Sequence, residues 1–354
     1  MRVAVVTNRD LKGVINRFGQ PRPQPPKPLT EWQCDSVASA LEEGGHEVLL
    51  CEGDKGMLTT LERFMPPDSQ GRPSGFVFNL ASGIQGESCF SHVPAMLEMA
   101  GVPYIGASPL GHELANDKVV TKTLIRDLGV PTPKFRVMHR GDENTDDLKF
   151  PVVVKPPREG DSIGLQLVHA PSELKLAVEV SVQKYAQEAL VEEYIDGREI
   201  TVSLLGNGEI EVLPLLEQDF GDLTTRLMTF EAKYVAAEKA SKICPVQIES
   251  GLARVLRDIS IATFRACKCR DYGRVDIRID RSGQPFVLEI NANPCLTKGS
   301  SYCVAASTAG QSYSSLINRI LDIAHTRCFG TAIPGAERTL RLPPSTSAQE
   351  VMTD

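Results

Sequence analysis

The sequence predicts an α/β fold that opens on a parallel sheet, and three observations carry this. Strand-like and helix-like stretches alternate, glycines close the helical ones, and the chain begins with a strand–helix–strand unit. Val3 to Thr7 reads as the first strand. Glu31 to Glu43 reads as a helix with Trp32, Val37 and Leu41 among its apolar positions, stopped by Gly44-Gly45, and Glu47 to Cys51 is the next strand. Between them lies Pro21-Arg22-Pro23-Gln24-Pro25-Pro26-Lys27-Pro28, whose fixed φ and missing N–H groups leave a long loop. Phe76 to Leu80 is a further strand. It runs into the glycine-bearing loop Ala81 to Glu87 at a strand's carboxyl end, where open α/β sheets place ligands. A helix to Ala100, a stop at Gly101, and Pro103-Tyr104-Ile105-Gly106 complete a first domain whose boundary falls between Ser108 and Ala115.

Asp117 then reads as the N-cap of a helix through Leu128, stopped at Gly129-Val130-Pro131. Pro151 to Lys155 is a buried-type strand that delivers a lysine at its end, and Leu165 to His169 is its neighbour. The loop between them holds Arg158, Gly160 and Ser162 and suits either phosphate, through its backbone N–H groups, or ordinary hairpin punctuation. A helix to Glu188 follows, then the strand Ala189 to Ile195, read as an edge with acids beside it. The last amphipathic helix runs from Ser312 to Ala324, and Thr331 to Asp354 reads as a polar tail.

Asp276-Ile277-Arg278-Ile279-Asp280, a turn at Ser282-Gly283, and Val287-Leu288-Glu289-Ile290-Asn291 form a predicted hairpin. The period of two turns Asp276, Glu289 and Asn291 to one face and the aliphatic residues to a core. Two carboxylates and an amide are the hard oxygen donors magnesium takes when phosphates supply its other ligands. A solvated edge hairpin with surface acids has the same spacing.

Composition bounds the rest. The chain has 354 residues, 42% of them hydrophobic, enough for two or three packed domains. Its nine cysteines are scattered without C-x-x-C spacing, which favours reduced, idle thiols over zinc or disulfide frameworks. A net charge of −7 argues against a nucleic-acid partner. No stretch approaches the roughly 18 apolar residues of a membrane span, and Met1 to Asn8 lacks the features of a signal peptide, so the expectation is a cytoplasmic enzyme.

Taken in order, several motifs resemble the ATP-grasp superfamily and, within it, the D-alanine–D-alanine ligase family. They are Gly101-Val102-Pro103-Tyr104-Ile105-Gly106, Asn116-Asp117-Lys118, Val153-Val154-Lys155-Pro156 with Arg158-Glu159-Gly160, and Val191-Glu192 through Gly197-x-Glu199. Glu231-Ala232-Lys233-Tyr234, Gly273-Arg274-x-Asp276 and Leu288-Glu289-x-Asn291 follow, and the resemblance covers Phe76 to Ala324. It implies a Rossmann-like domain over residues 1–115, two α+β subdomains over 116–200 and 201–330 that sandwich ATP, and a tail over 331–354. It also implies that Lys118, Lys155 and Gly160 meet phosphates, that Glu192, Glu193, Tyr194 and Ile195 hold adenine, and that Glu199 accepts from the ribose. Asp276, Glu289 and Asn291 would hold two magnesium ions. Arg274, Lys233 and Ser162 would be catalytic, with Lys233 on a closing loop. A homodimer follows by the same analogy.

The implied reaction is ATP-dependent joining of a carboxylate to an amine through an acyl phosphate. Departures from the family pattern fall in the amino-acid pocket. The first strand leads to Thr7-Asn8-Arg9-Asp10 instead of a glycine-rich segment with a glutamate, and the second loop lacks the family's histidine, keeping Glu87 from its acidic pair. Asn293-Pro294-Cys295 replaces Ser-Pro-Gly, and Gly160-Asp161-Ser162 replaces Gly-Ser-Ser, with an extra negative charge near phosphate. The substrates therefore need not be two D-alanines. Arg9, Asp10, Glu87, Tyr234, Cys295, Lys298, Ser300 and Ser301 are candidate substrate contacts. A true D-alanine–D-alanine ligase, a small-molecule kinase on the same fold, and a regulatory ATP binder remain open.

Overall fold

The structure is a computed structural model that describes residues 1–8, 27–221, 227 and 241–330. The first part contains β1 (Arg2–Thr7), α1 (Lys27–Glu43), β2 (Glu47–Glu52), α2 (Met57–Phe64), β3 (Gly75–Asn79) and α3 (Cys89–Met99). The strands form a parallel sheet in the order β2-β1-β3. Both faces are covered: Val3 and Val5 enter one core with Phe76 and Phe78, while Ala4 and Val6 enter another with Leu61, Val93 and Leu97. This is why β1 is apolar throughout instead of alternating.

A middle part follows: α4 (Pro109–Asn116), α5 (Lys118–Asp127), β4 (Phe135–Met138), β5 (Val152–Lys155), β6 (Gln166–Val168), α6 (Pro171–Tyr185) and β7 (Ala189–Glu193). Its sheet is antiparallel in the order β4-β7-β5-β6. The last part holds β8 (Gly197–Gly206), β9 (Ile210–Val212), β10 (Leu216–Asp219), β11 (Ser241–Ile243), α7 (Ser250–Ala266), β12 (Tyr272–Asp280), β13 (Pro285–Asn291), α8 (Ser301–Thr308) and α9 (Tyr313–Phe329). Its sheet runs β11-β10-β8-β12-β13, with β9 on β8.

Several expectations are corrected. Trp32 is not a core position of α1; it is 64% exposed, whereas Val37 and Leu41 are buried. Lys27 and Pro28 belong to the first turn of α1, where a proline's φ fits and its N–H is not needed. β7 is not an edge, since it pairs with β4 and β5. α6 ends at Tyr185 because Ala186 turns left-handed, at φ 53°. The helices α2, α4, α7 and α8 and the strand β4 are further elements that the sequence pattern did not announce. The proline-rich loop up to residue 26, Arg9, Asp10, Glu231 to Tyr234 and the tail lie outside the described residues. Among the described residues, no helix is long and apolar enough to cross a membrane.

The first sheet is fastened to the last part by α9. Leu316, Ile317 and Ile320 share a core with Val3, Phe76, Tyr272 and Tyr302, and Asn318 Nδ2 donates to the Ala40 carbonyl at the end of α1 at 2.8 Å. Asp322 on the same helix is half-buried, and burial pushes its carboxyl up to about 6, with His325 pulling weakly the other way. A carboxyl raised in the folded state costs stability progressively as pH rises from the unfolded value near 4 to the folded one, with the full cost present above it and none well below 4. Asp322→Asn is therefore expected to gain about 1 kcal/mol at pH 7.5, after discounting for partial solvation, and little at pH 4. Denaturant melts at the two pH values check this.

Candidate active site

β-branched residues build the β12–β13 hairpin: Val275, Ile277 and Ile279 bury one face. Asp280 Oδ1 closes its turn by accepting from Ser282 N at 2.9 Å, Ser282 Oγ at 2.7 Å and Gln284 N at 2.9 Å. The opposite face carries the charges. Asp276 stands opposite Glu289 and Arg274 opposite Asn291, and a one-residue shift after Asp276 bulges Leu288 out of the ladder. Arg274 grips Asp276 with Nε and a terminal nitrogen at 2.8 and 2.7 Å. Asn291 Nδ2 donates to Asp276 at 3.1 Å. Burial works against the Arg274 charge, but Asp276 and then Glu289 outweigh it and raise its pKa.

Two lysines arrive from other elements. Asp117 caps α5 by accepting from Val119 N at 2.9 Å and Val120 N at 3.1 Å, which fixes the first helical residue, Lys118. Its Nζ donates to the Glu159 carbonyl at 2.7 Å and meets Glu289 at 3.4 Å. Lys155, at the end of β5, pairs with Glu192 on β7 at 2.5 Å, and Lys122 meets the same carboxylate at 2.9 Å. All three groups are buried. Burial is the largest influence on Lys122 and draws it down to about 8 against the pull of Glu192. Burial also opposes charge on Lys155, yet Glu192 and Glu289 outweigh it and hold that lysine above its ordinary value. The Glu192 side chain thus serves this cluster. Lys122, one helical turn after Lys118, was missed by sequence reasoning; its i,i+4 spacing was the available signal.

The loop after Lys155 holds two consecutive non-glycine residues in the left-handed region, Asp161 at φ 52° and Ser162 at φ 60°. Such strain is uncommon and concentrates at ligand sites. Arg158 anchors the loop on Glu188 at 3.1 Å and Asp117 at 3.4 Å. Glu199, on β8, is met by Arg278 at 3.3 Å. Arg278 is itself buried, with its guanidinium over Tyr194 at 5.4 Å and Phe220 at 5.8 Å. Gly197 is required beside it, because an added Cβ would collide with the Ile279 carbonyl. Arg278 was also missed; no motif marked it.

Lys118, Lys155, Ser162, Glu199, Asp276 and Glu289 line one cleft, and an adjoining cavity takes in Gly160 and Asn291. The other candidates sit apart. Glu87 is 3.5 Å from Arg158 with its side chain 76% exposed. Cys295 Sγ meets Gln33 Oε1 at 3.2 Å and Thr297 Oγ1 at 3.1 Å. Ser300 caps α8, and Ser301 is that helix's first residue. Lys298 lies over the Tyr313 ring at 5.3 Å. Glu193 is half-buried on β7 and Ile195 is buried. Lys233 and Tyr234 lie outside the described residues. Among the described residues no three His, Cys, Asp or Glu side chains group as a metal centre; the set here is two carboxylates and an amide, hard donors of the number magnesium takes from protein.

The family model described as D-ala D-ala ligase C-terminus matches residues 124–322. A D-alanine–D-alanine ligase of Carboxydothermus hydrogenoformans is 34% identical over 81% of this chain and 90% of its own length. The chain belongs to the D-alanine–D-alanine ligase family. An uncharacterized protein of Sinorhizobium fredii is 67% identical over 95% of this chain and 100% of its own length. The D-alanine–D-alanine ligase of Bacillus anthracis, solved with ATP, shares the fold at a TM-score of 0.71 and 23% identity, over 92% of this chain and 98% of that one. The ATP-grasp architecture of the family accounts for the two antiparallel sheets, one on each side of the cleft. At the end of β1, Asn8 is buried and tied to backbone, donating to the Gly53 carbonyl at 3.1 Å and accepting from Gly83 N at 2.8 Å.

Proposed function

We propose that this family member is an ATP-dependent carboxylate–amine ligase that forms an amide through an acyl phosphate. The observation that carries the reading is the charge array in one cleft, where Lys118 and Lys155 face Asp276 and Glu289, with Arg274 bonded to Asp276 from beside it. Cations and paired carboxylates at this spacing suit a triphosphate whose transfer needs positioning and charge neutralisation more than covalent help. The nucleotide would lie between the two antiparallel sheets, its phosphates at Lys118, Lys155 and the strained Gly160–Ser162 loop, its adenine along the end of β7 and its ribose at Glu199. Arg278, packed under Tyr194, would hold Glu199 in place.

Asp276, Glu289 and Asn291 would hold magnesium, which when bound neutralises the β- and γ-phosphate oxygens. Arg274 grips Asp276 and Lys118 meets Glu289, so both cations stand beside the carboxylates that would hold the metal. A substrate carboxylate oxygen attacks the γ-phosphorus, the bond to the β-bridging oxygen breaks, and ADP leaves. The amine nitrogen of the second substrate then adds to the acyl carbon, loses a proton, and expels inorganic phosphate. Arg274 stabilises the carboxylate and then the developing oxyanion. Lys233 lies outside the described residues; by the family resemblance it would meet the γ-phosphate.

The relatives' names favour D-alanine in both positions. Against that, Asn8 presents a backbone-bonded amide where the family's first strand leads to a glutamate, which supports a different first substrate. Competition assays with D-alanine and other amino acids decide it: efficient D-alanine dimerisation contradicts the altered pocket, and preferred ligation of another acid–amine pair supports it. Lys122 supports the same ATP site from behind. With Lys122→Met, Glu192 draws on Lys155 alone, so KM for ATP is expected to rise about tenfold with a smaller change in kcat, the range typical of residues that orient a ligand from outside its contact shell.

A further inference from the structure

His112 on α4 is only 3% exposed, and its ring stacks on Phe90 with centroids 6.3 Å apart and planes 7° from parallel. Its Nε2 is buried without a hydrogen-bond partner among the described residues. Buried polar atoms in folded proteins are nearly always satisfied, so an unmet one at a cavity wall marks a place for a ligand group or a fixed water. Such a cavity is there. Phe90, His112, Asn116 and Asn293 line a space of about 70 Å³ together with Lys118 and Glu289. Lys118 and Glu289 also line the nucleotide cleft, so the two spaces meet at their ion pair.

We propose that this cavity receives the side chain of one of the two amino-acid substrates, and that His112 Nε2 hydrogen-bonds a small uncharged polar group on it, a hydroxyl or a carboxamide. The assignment rests on the ligase reading. The lining is mixed: Asn116, Asn293 and an imidazole offer neutral hydrogen bonds, Phe90, Ala115 and Ala292 supply apolar walls, and Lys118, Gly160, Glu289 and Asn291 border the phosphate and magnesium positions proposed above. Burial, with the Arg270 charge acting in the same sense, pushes His112 down to about 4, so the ring is neutral at physiological pH. A neutral imidazole has one N–H donor and one acceptor nitrogen, which suits a hydroxyl or carboxamide better than an ammonium or carboxylate. A space of about 70 Å³ suits a small side chain such as that of serine or asparagine.

The test uses the full chain with ATP and magnesium, and alanine, serine and asparagine of either hand in pairs, reading kcat/KM by product mass. The wild-type protein is expected to prefer serine or asparagine over alanine at one position by at least about tenfold, since a site built to bond a polar group rejects the analogue lacking it. His112→Leu is expected to remove most of that preference, chiefly through KM. His112→Gln, which keeps a donor and an acceptor, retains part of it and changes the serine-to-asparagine order. Thermal melting establishes that the variants are folded, and His112→Gln carries the test if the leucine variant is not. No preference in the wild type, or one unmoved in a folded variant, overturns the His112 assignment while leaving the ligase intact. Phosphate release without amide from every pair overturns the ligase reading and the substrate assignment with it.

Discussion

Asp276→Asn is expected to lower ATP-dependent phosphate release by about 10³-fold, the size of effect that positioned charges have in phosphoryl transfer. The substitution keeps the shape and removes one negative charge from the face shared with Glu289. It takes away the carboxylate that Arg274 grips with two nitrogens and, on the proposed reading, a hard anionic donor for magnesium. The variant should fold, because the neighbouring Val275 and Ile277 remain in the core. Phosphate release at saturating substrates, beside a thermal melt, separates lost chemistry from lost fold. A loss smaller than about tenfold in a folded variant contradicts a direct role for this carboxylate, since even outer-shell partners of a metal ligand reach that size.

The largest expected stability effect lies outside the cleft. Asp271 is fully buried and gathers three segments: it accepts from Gly106 N at 2.8 Å, from Asn207 Nδ2 at 3.1 Å, and from Arg327 through Nε and a terminal nitrogen, both at 2.8 Å. Arg327 also donates to the Tyr104 carbonyl at 2.7 Å, so this carboxylate joins the Gly101–Gly106 motif to α9 and the start of β12. Asp271→Ala leaves a largely buried guanidinium without its partner and is expected to cost about 3–5 kcal/mol. It also places alanine at φ 68°, a left-handed conformation that aspartate and asparagine tolerate better. Asp271→Asn should cost less. Denaturant unfolding of both variants measures the difference, and a cost below about 1 kcal/mol for alanine would mean that the network adds nothing to stability.

The parallel opening, the β12–β13 hairpin and the Asp117 cap were legible because each has a local signature: apolar runs, period two with a polar turn, and a short acid before a helix. What was not legible depended on partners distant in sequence. Trp32 fits the helical period of α1, yet only the folded chain shows that the buried stripe runs through Cys34, Val37 and Leu41. β7 reads as an edge because its acids suggest solvent, whereas Glu192 is buried against Lys122 and Lys155. Arg278 looks like a surface cation on an alternating strand until Tyr194 and Phe220 cover it. The bulge at Leu288 has no turn residue to announce it. His112 was invisible for the same reason: one histidine on a short helix carries no pattern, and its meaning lies in Phe90 and the cavity beside it.

The most direct test of the ligase assignment is phosphate release from ATP and magnesium with amino acids of both hands, singly and in pairs, alongside product masses. The account predicts release that requires a pair, with one phosphate for each product whose mass is the sum of the two less water. Release with a single compound, giving a phosphorylated mass and no dependence on an amine, would contradict it and make the protein a kinase.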